Sequence, residues 1–227
     1  MANLTLYYSP GSCSLVPHAL MHHLSLPFTT VALARGPDGL EAADGSFTAP
    51  WYRANIHHAG YVPALAVGAD TVVTEMPAIL TYIALAAGGG KGELLLGEGG
   101  ALERASVAEW LAWLAGTLHG NGFAMLFRPG RFSGDEGAHA GIKEQGVRVV
   151  ERCFRRIEER VRGREWVVGE KLTVVDFNVY VFARWWVEIV GRDLKEYPEY
   201  ARFCGGVEGL EGVRKAVQEH GKELLFQ

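Results

Sequence analysis

The chain has few cysteines and no excess of basic residues, and both shortages narrow its possible functions. Its 227 residues include three cysteines, Cys13, Cys153 and Cys204. Three thiols so far apart predict neither a disulfide-rich scaffold nor a zinc ribbon. Lysine and arginine together number 22 against 26 acidic residues, which gives a formal charge of −4. A chain without a basic excess has little to neutralise phosphates, so we expect no nucleic-acid partner.

The sequence also has no long hydrophobic run. The longest candidate, residues 174–190, is interrupted by Asp176, Arg184 and Glu188, whereas a membrane-spanning helix needs about 20 predominantly apolar residues. Residues 2–12 are polar and lack the apolar core of a signal peptide. We therefore expect a cytoplasmic protein in a reducing compartment, with no membrane partner.

Glycine, in contrast, is abundant. It accounts for 29 of 227 residues, well above the usual share of about 7%. Seven glycines fall within residues 88–100, and such a run favours a linker between residues 1–87 and residues 101–227. Six more lie between residues 120 and 141. They predict an irregular or broken helix there, mobile without ligand.

Residues 1–87 alternate between strand and helix patterns. Strands are predicted at residues 4–8, 28–33, 62–67 and 71–74, and helices at residues 15–24 and 77–87. Between the second and third strands, residues 35–59 are predicted to be a long irregular stretch. The order β-α-β-loop-β-β-α predicts an α/β domain with a small mixed sheet packed against helices.

Residues 101–227 contain no convincing strand pattern and predict an all-α domain. Helices are predicted at residues 101–118, 142–161, 173–190, 198–204 and 207–219. Thr173 and Asp176 have the spacing of a capping box at the start of the third of these helices. That helix is apolar nearly all round, so we expect it at the centre of a helical bundle.

A first candidate site is the turn Ser9-Pro10-Gly11-Ser12-Cys13-Ser14, which joins a strand to a helix. The free amides and the dipole at a helix N-terminus favour a thiolate or a bound anion near Cys13. The alternative is that Cys13 is a small buried filler. The turn lacks the second cysteine of a C-x-x-C motif, which argues against a dithiol oxidoreductase.

A second candidate is Tyr61-Val62-Pro63-Ala64-Leu65, where a proline opens a strand. If the Val62–Pro63 bond is cis, the N–H and C=O groups of Val62 are available to an extended peptide, as in strand addition. The alternative is an ordinary edge-strand proline.

A third candidate is Thr74-Glu75-Met76-Pro77, where a strand ends and a helix begins. Free amides at a helix start suit a carboxylate. Glu75 either stabilises the helix dipole or meets an ammonium group. The alternative is plain helix capping.

Taken together and in this order, the motifs resemble those of the cytosolic glutathione transferases over nearly the full length of the chain. Three segments carry the resemblance: Val62-Pro63-Ala64-Leu65, Glu75-x-x-Ala78-Ile79-Leu80 and Leu172-Thr173-Val174-Val175-Asp176. The segment from Tyr7 to Leu15, followed by Pro17-His18, is similar to the bacterial-type beta class. The resemblance implies an N-terminal thioredoxin-like domain followed by an all-α C-terminal domain.

The same resemblance implies a function. The expected enzyme is a glutathione transferase that conjugates or exchanges glutathione, its cosubstrate, with a small hydrophobic or acidic electrophile. A role in detoxification and a homodimer are also implied. The implied glutathione-binding residues are Tyr8, Val62, Pro63, Glu75 and Met76. Cys13 would contact or bond the glutathione sulfur, with Ser12, Ser14 and Tyr8 as alternative hydroxyl donors to it.

The helical domain contributes a further set of expected residues. By resemblance, His119 reaches the glutathione site, although a lone histidine amid apolar helix is by itself more often a core residue. An acceptor pocket is expected to include Phe123, Arg128, Arg184 and Trp185. The alternative is that the arginines are solvated and the aromatic residues form core.

The sequence also leaves two alternative functions open, and it predicts no metal site. The Ser12-Cys13-Ser14 triplet is similar to that of zeta-class proteins, which isomerise cis double bonds through glutathione addition. A non-catalytic binding or scaffold protein of the same fold is the other alternative. No metal is expected, because His22-His23 and His57-His58 are adjacent pairs that point in different directions and lack an obvious third ligand.

Overall fold

A computed structural model describes residues 3–88 and 90–226 of the chain. The chain forms two compact units, one of Met1–Glu98 with Gly205–Gln227 and one of Gly99–Cys204. The division falls within the predicted linker, of which Gly89 lies outside the described residues. Residues 205–227 group with the first unit, although the sequence suggested that they continue the helical domain.

The first unit is built on a five-stranded mixed sheet of order β3-β2-β1-β4-β5. The strands are β1 Leu4–Tyr8, β2 Thr29–Gly36, β3 Gly39–Ala42, β4 Ala64–Val67 and β5 Thr71–Val73. Only the β1–β2 pair is parallel. The helices are α1 Leu15–His23, α2 Ala49–Asn55, α3 Met76–Ala86 and α4 Lys91–Leu94.

The apolar residues of this unit form one core between the sheet and its helices. Leu6 of β1, Leu65 of β4, Leu20 of α1 and Ile83 of α3 are all inaccessible to solvent. Since α1 connects the parallel strands β1 and β2, it must pack back on the sheet. The prediction of a mixed sheet with helices, followed by a helical domain, is confirmed.

The prediction that residues 35–59 are irregular is wrong in part. This stretch contains the end of β2, all of β3 and the seven-residue helix α2. Both new elements are too short for a clear periodic pattern, and tertiary contacts stabilise them: β3 pairs with β2, and Tyr52 of α2 is fully buried. Pro50 in the first turn of α2 is the local helix-start signal that the sequence reading missed.

The described residues of the second unit form helices joined by loops, with no strand among them. Its elements are α5 Ala101–Trp113, a π-helical stretch Leu114–Phe123, α6 Ala124–Phe127, the 3₁₀ turns Pro129–Arg131 and Glu136–Ala138, α7 His139–Val161 and α8 Val174–Glu188. Helix α9, Pro198–Glu208, begins in this unit, and α10, Glu211–Glu219, belongs to the first.

The segment after His119 is an irregular helix, as its glycines predict. The π-helical stretch passes into α6, and two 3₁₀ turns precede α7. Two glycines allow the backbones to approach here: a Cβ on Gly122 would lie 2.9 Å from Val150 Cγ2, and one on Gly146 would lie 2.8 Å from Met125 Cβ. The mobility expected for this segment stays a prediction.

The capping box at the start of α8 is confirmed. The Thr173 amide donates to Asp176 Oδ2 at 2.7 Å, and the Val167 amide donates to Oδ1 at 2.8 Å. Helix α8 is buried over most of its length, as expected for the centre of a bundle. Among the described residues, no helix combines the length and apolar character needed to cross a bilayer.

Candidate functional site

The sheet topology brings the three candidate segments of the first unit to one end of its strands. Because β1 and β4 are antiparallel, with Tyr7 opposite Ala64, the turn that follows β1 lies beside the residues that precede β4. Because β4 and β5 are also antiparallel, with Leu65 opposite Val73, Glu75, which follows β5, lies at the same end of the strands.

Ser14 organises the turn between β1 and α1. Its hydroxyl accepts from the Ser9 amide at 3.2 Å and donates to the Ser9 carbonyl at 3.3 Å, and it also hydrogen-bonds the Ser12 hydroxyl. Gly11 has a φ of +72°, a value that a side chain would strain. Ser14 is 0% exposed, which favours a structural role for its hydroxyl.

Cys13 joins the first candidate segment to the second. Its thiol lies 3.5 Å from the Val62 carbonyl oxygen and donates to it, and the Val62–Pro63 bond is cis. Cys13 is 7% exposed and lies two residues before Leu15, the first residue of α1. The carbonyl favours the neutral thiol, whereas the helix N-terminus favours the thiolate.

Glu75 has an unusual backbone conformation at the start of α3. Its φ is +67° and its ψ is 124°, and a non-glycine residue in this region signals local strain of the kind that clusters at functional sites. The side chain is exposed and raises the pKa of His57 electrostatically, although burial lowers that pKa overall. Met76 opens the helix, so its amide has no partner within the helix.

Sequence reasoning missed the histidines that pack behind the turn between β1 and α1. The Gly11 amide donates to His220 Nδ1 at 3.2 Å, and His220 Nε2 lies 3.2 Å from His18 Nδ1. The ring of Tyr8 packs on both, with centroids 4.9 Å from His220 and 5.5 Å from His18. No local signal predicts these contacts, because His220 and Gly11 are 209 positions apart.

Within the second unit, His119 joins an aromatic cluster with two expected pocket residues. Its ring centroid lies 5.1 Å from Trp185, and Trp185 lies 5.3 Å from Phe123. Burial lowers the pKa of His119 to about 4, and the positive charges of Arg128 and Arg131 act in the same direction. His119 is therefore neutral at pH 7.

The two arginines expected in the acceptor pocket differ in their surroundings. Arg184 is 1% exposed, and it donates to the Tyr180 hydroxyl at 2.9 Å and to Glu188 at 2.8 Å. This buried ion pair favours a structural role for Arg184. Arg128 is exposed and close enough to His119 to influence its charge.

Known proteins resemble this chain over nearly its whole length. The family model "Glutathione S-transferase, C-terminal domain" matches residues 132–211. Glutathione S-transferase GstA of Escherichia coli O157:H7 is 29% identical over 218 residues, which cover 96% of this chain and 99% of that protein.

Solved structures agree with the sequence matches. A bacterial beta-class glutathione S-transferase from Sphingomonas chungbukensis has a TM-score of 0.79 at 28% identity, covering 96% of this chain and 98% of its own. A sphingomonad glutathione S-transferase complexed with glutathione has a TM-score of 0.79 at 26% identity, with the same coverage. By sequence and by fold, the chain is similar to the glutathione S-transferases and resembles their bacterial beta class.

Proposed function

We propose that this protein is a glutathione transferase that binds glutathione at the end of the strands where Cys13, Val62 and Glu75 lie. The contact between the Cys13 thiol and the Val62 carbonyl is the observation that carries the proposal. It joins a nucleophile near a helix N-terminus to a backbone segment suited to an extended peptide.

The cysteinyl and γ-glutamyl parts of glutathione each have a partner in this arrangement. The cysteinyl backbone pairs with the N–H and C=O groups of Val62, ahead of Pro63, in the manner of an added strand. The γ-glutamyl carboxylate accepts from the Met76 amide at the start of α3, and Glu75 binds the γ-glutamyl ammonium group. The sphingomonad relative complexed with glutathione supports glutathione as the cosubstrate.

The proposed chemistry requires the Cys13 thiol or the glutathione thiol to lose its proton beside this peptide site. In thiol transfer, the Cys13 thiolate attacks one sulfur of oxidised glutathione, forms a mixed disulfide and releases the other half as a thiolate. In conjugation, the bound glutathione thiolate attacks an electrophilic carbon and forms the new carbon–sulfur bond. Either a leaving group departs from that carbon as an anion, or the π bond of an activated double bond breaks and its electron pair takes up a proton. Ser12, Ser14 and Tyr8 are alternative hydroxyl donors to that thiolate, and the Ser12 and Ser14 hydroxyls are already hydrogen-bonded to each other within the turn.

The acceptor site is proposed in the helical unit, around His119 and the aromatic cluster of Phe123 and Trp185. A neutral His119 is able to accept or donate a hydrogen bond without presenting a second charge. The exposed Arg128 nearby suits an acidic electrophile. A homodimer is part of the proposal, and the measured mass in solution tests it.

Glutathione binding is tested by thermal melting with millimolar glutathione, which raises the midpoint only if the native state binds it. Glu75→Gln is expected to weaken this shift because it removes the charge that faces the ammonium group. The matched control is Asp70→Asn, which replaces an exposed carboxylate in the β4–β5 turn at the opposite end of the strands. Equal shifts in both variants, or no shift in the unaltered protein, would contradict the proposed site.

A further inference from the structure

Helices α1 and α10 bring together three metal-ligating side chains on the first unit. His18 and His22 are one turn apart on α1, and Glu219 ends α10. Glu219 Oε2 lies 2.7 Å from His18 Nε2 and 2.9 Å from His22 Nε2, and the ligand atoms of all three residues lie within 4.8 Å of one another. The sequence pairs His22 with its neighbour His23, whereas the fold pairs it with His18.

The packing around these side chains fixes their positions. A Cβ on Gly212 of α10 would lie 2.5 Å from the His23 amide nitrogen, so only glycine allows the two helices to approach this closely. The rings of His18 and His22 stack with centroids 5.0 Å apart. Phe28 packs edge-on against both, at 5.4 and 5.0 Å.

His18 has a buried ring nitrogen with no aligned hydrogen-bond partner among the described residues. The residue is 1% exposed, and among the described residues its Nε2 has no hydrogen-bond partner. The Glu219 oxygen is close, at 2.7 Å, but it is not aligned with the nitrogen as a hydrogen bond requires. A buried polar atom of this kind calls for a ligand, water or ion.

We propose that His18, His22 and Glu219 bind a divalent cation of the zinc class. Two imidazoles and one carboxylate form a three-ligand set that leaves a fourth position for water or another ligand, and the Glu219 side chain is 40% exposed, so that position opens to solvent. Imidazole ligands favour Zn²⁺, Co²⁺ or Ni²⁺ over Mg²⁺ and Ca²⁺.

Two features of the cluster set the conditions for binding. Tetrahedral zinc with bonds of ~2.0–2.1 Å holds its ligand atoms roughly 3.3 Å apart, so the exposed Glu219 side chain must swing outward slightly. Lys215, one turn earlier on α10, is a cation that acts on both His18 and Glu219, and it opposes the bound charge.

Metal binding also reaches the active-site turn. Without metal, the Gly11 amide donates to His220 Nδ1, so the His220 proton is on Nε2 and points to His18 Nδ1. A metal on His18 Nε2 moves the His18 proton to Nδ1. His220 Nε2 must then accept a hydrogen bond from that N–H, so the proton of His220 moves to its Nδ1. The Nδ1–H of His220 and the Gly11 N–H are then two donors that face each other, and the Gly11 amide loses its acceptor.

The test is a titration of the full chain, without a histidine tag, with Co²⁺ followed by absorption and with Zn²⁺ followed by calorimetry. One equivalent is expected to bind without a thiolate-to-metal charge-transfer band, which excludes Cys13 as a ligand. His22→Gln and Glu219→Gln are expected to weaken binding by more than the ~10–100-fold that changes outside the ligand set cost. His23→Gln, on the same helical turn, is the matched control and should retain affinity.

A second readout separates this cluster from other sites on the chain. With Zn²⁺ bound, the Gly11 amide resonance is expected to shift and its hydrogen exchange to accelerate. His18 itself is left unchanged, because replacing a buried residue risks the fold. Absence of binding, or equal affinity in the His22→Gln, Glu219→Gln and His23→Gln variants, would overturn the proposal.

Discussion

Asp176→Ala tests how the capping box holds the central helix α8. The carboxylate is fully buried and accepts from three donors: the amides of Val167 and Thr173, at 2.8 and 2.7 Å, and the Thr173 hydroxyl, at 3.0 Å. Two of these are backbone amides with no freedom to turn elsewhere. The substitution therefore leaves two backbone N–H groups without an acceptor in the protein interior.

The expected cost follows from those two groups. Each buried donor left unsatisfied costs about 1–3 kcal/mol, which gives roughly 2–6 kcal/mol for the pair. At about 2–4 °C per kcal/mol for a chain of this size, the melting midpoint should fall by roughly 4–24 °C. Glu211→Ala, which removes an exposed first-turn carboxylate from α10, is the matched control and should change stability by less than about 1 kcal/mol.

The effect should also depend on pH. Burial raises the pKa of Asp176 to about 7 against the opposing hydrogen bonds, so the folded protein holds this proton more tightly than the unfolded chain. The resulting stability is fully present below the unfolded pKa and is lost as pH rises from about 4 to about 7. The shift is worth on the order of 4 kcal/mol, so the destabilisation caused by Asp176→Ala should shrink as pH rises.

Thermal melts of both variants and the unaltered protein at pH 5, 6, 7 and 8 give the comparison. The reasoning fails if Asp176→Ala costs no more than Glu211→Ala at pH 5. It also fails if the difference between Asp176→Ala and the unaltered protein is the same at every pH, because the carboxylate would then not titrate with an elevated pKa.

Two further predictions concern the helical unit. Burial lowers the pKa of His119 to about 4, so its imidazole should show no charge change by NMR between pH 5.5 and 8. The stability that the fold gains from a neutral His119 is present above pH 6.5 and is lost as pH falls towards 4. A titration of His119 near pH 6.5 would contradict the burial argument. Gly146→Ala places a Cβ 2.8 Å from Met125 Cβ and should lower the free energy of unfolding by about 1–3 kcal/mol. Gly141→Ala, whose Cβ would have nothing within 4 Å, should raise it by up to about 1 kcal/mol. Equal melting midpoints for the two variants would refute the close approach at Gly146.

The sequence predicted those parts of the fold and candidate site that depend on local signals. The turn before Cys13, the proline that opens β4 and the capping box of Thr173 and Asp176 each depend on neighbours within a few residues. The pairing of β1 with β4 then brings the Cys13 turn and the Val62 segment together.

The remaining parts depend on contacts between distant residues. Strand β3 and helix α2 are short and form because Tyr52 and its neighbours are buried by the rest of the unit. The contact of His220 with Gly11 requires α10 to pack on α1, and that packing depends on Gly212. Periodicity in the sequence reports which face of a helix is apolar, but not which distant helix covers it.

We propose Cys13 as the residue that reacts with glutathione, and mass spectrometry after incubation with oxidised glutathione detects the expected adduct. Cys153 and Cys204 serve as internal controls, since they are 2% and 0% exposed against 7% for Cys13, and burial raises the pKa of Cys153 to about 11. We expect a single glutathione adduct on Cys13 that is lost in Cys13→Ala. An adduct confined to Cys153 or Cys204, or no adduct at all, would contradict it.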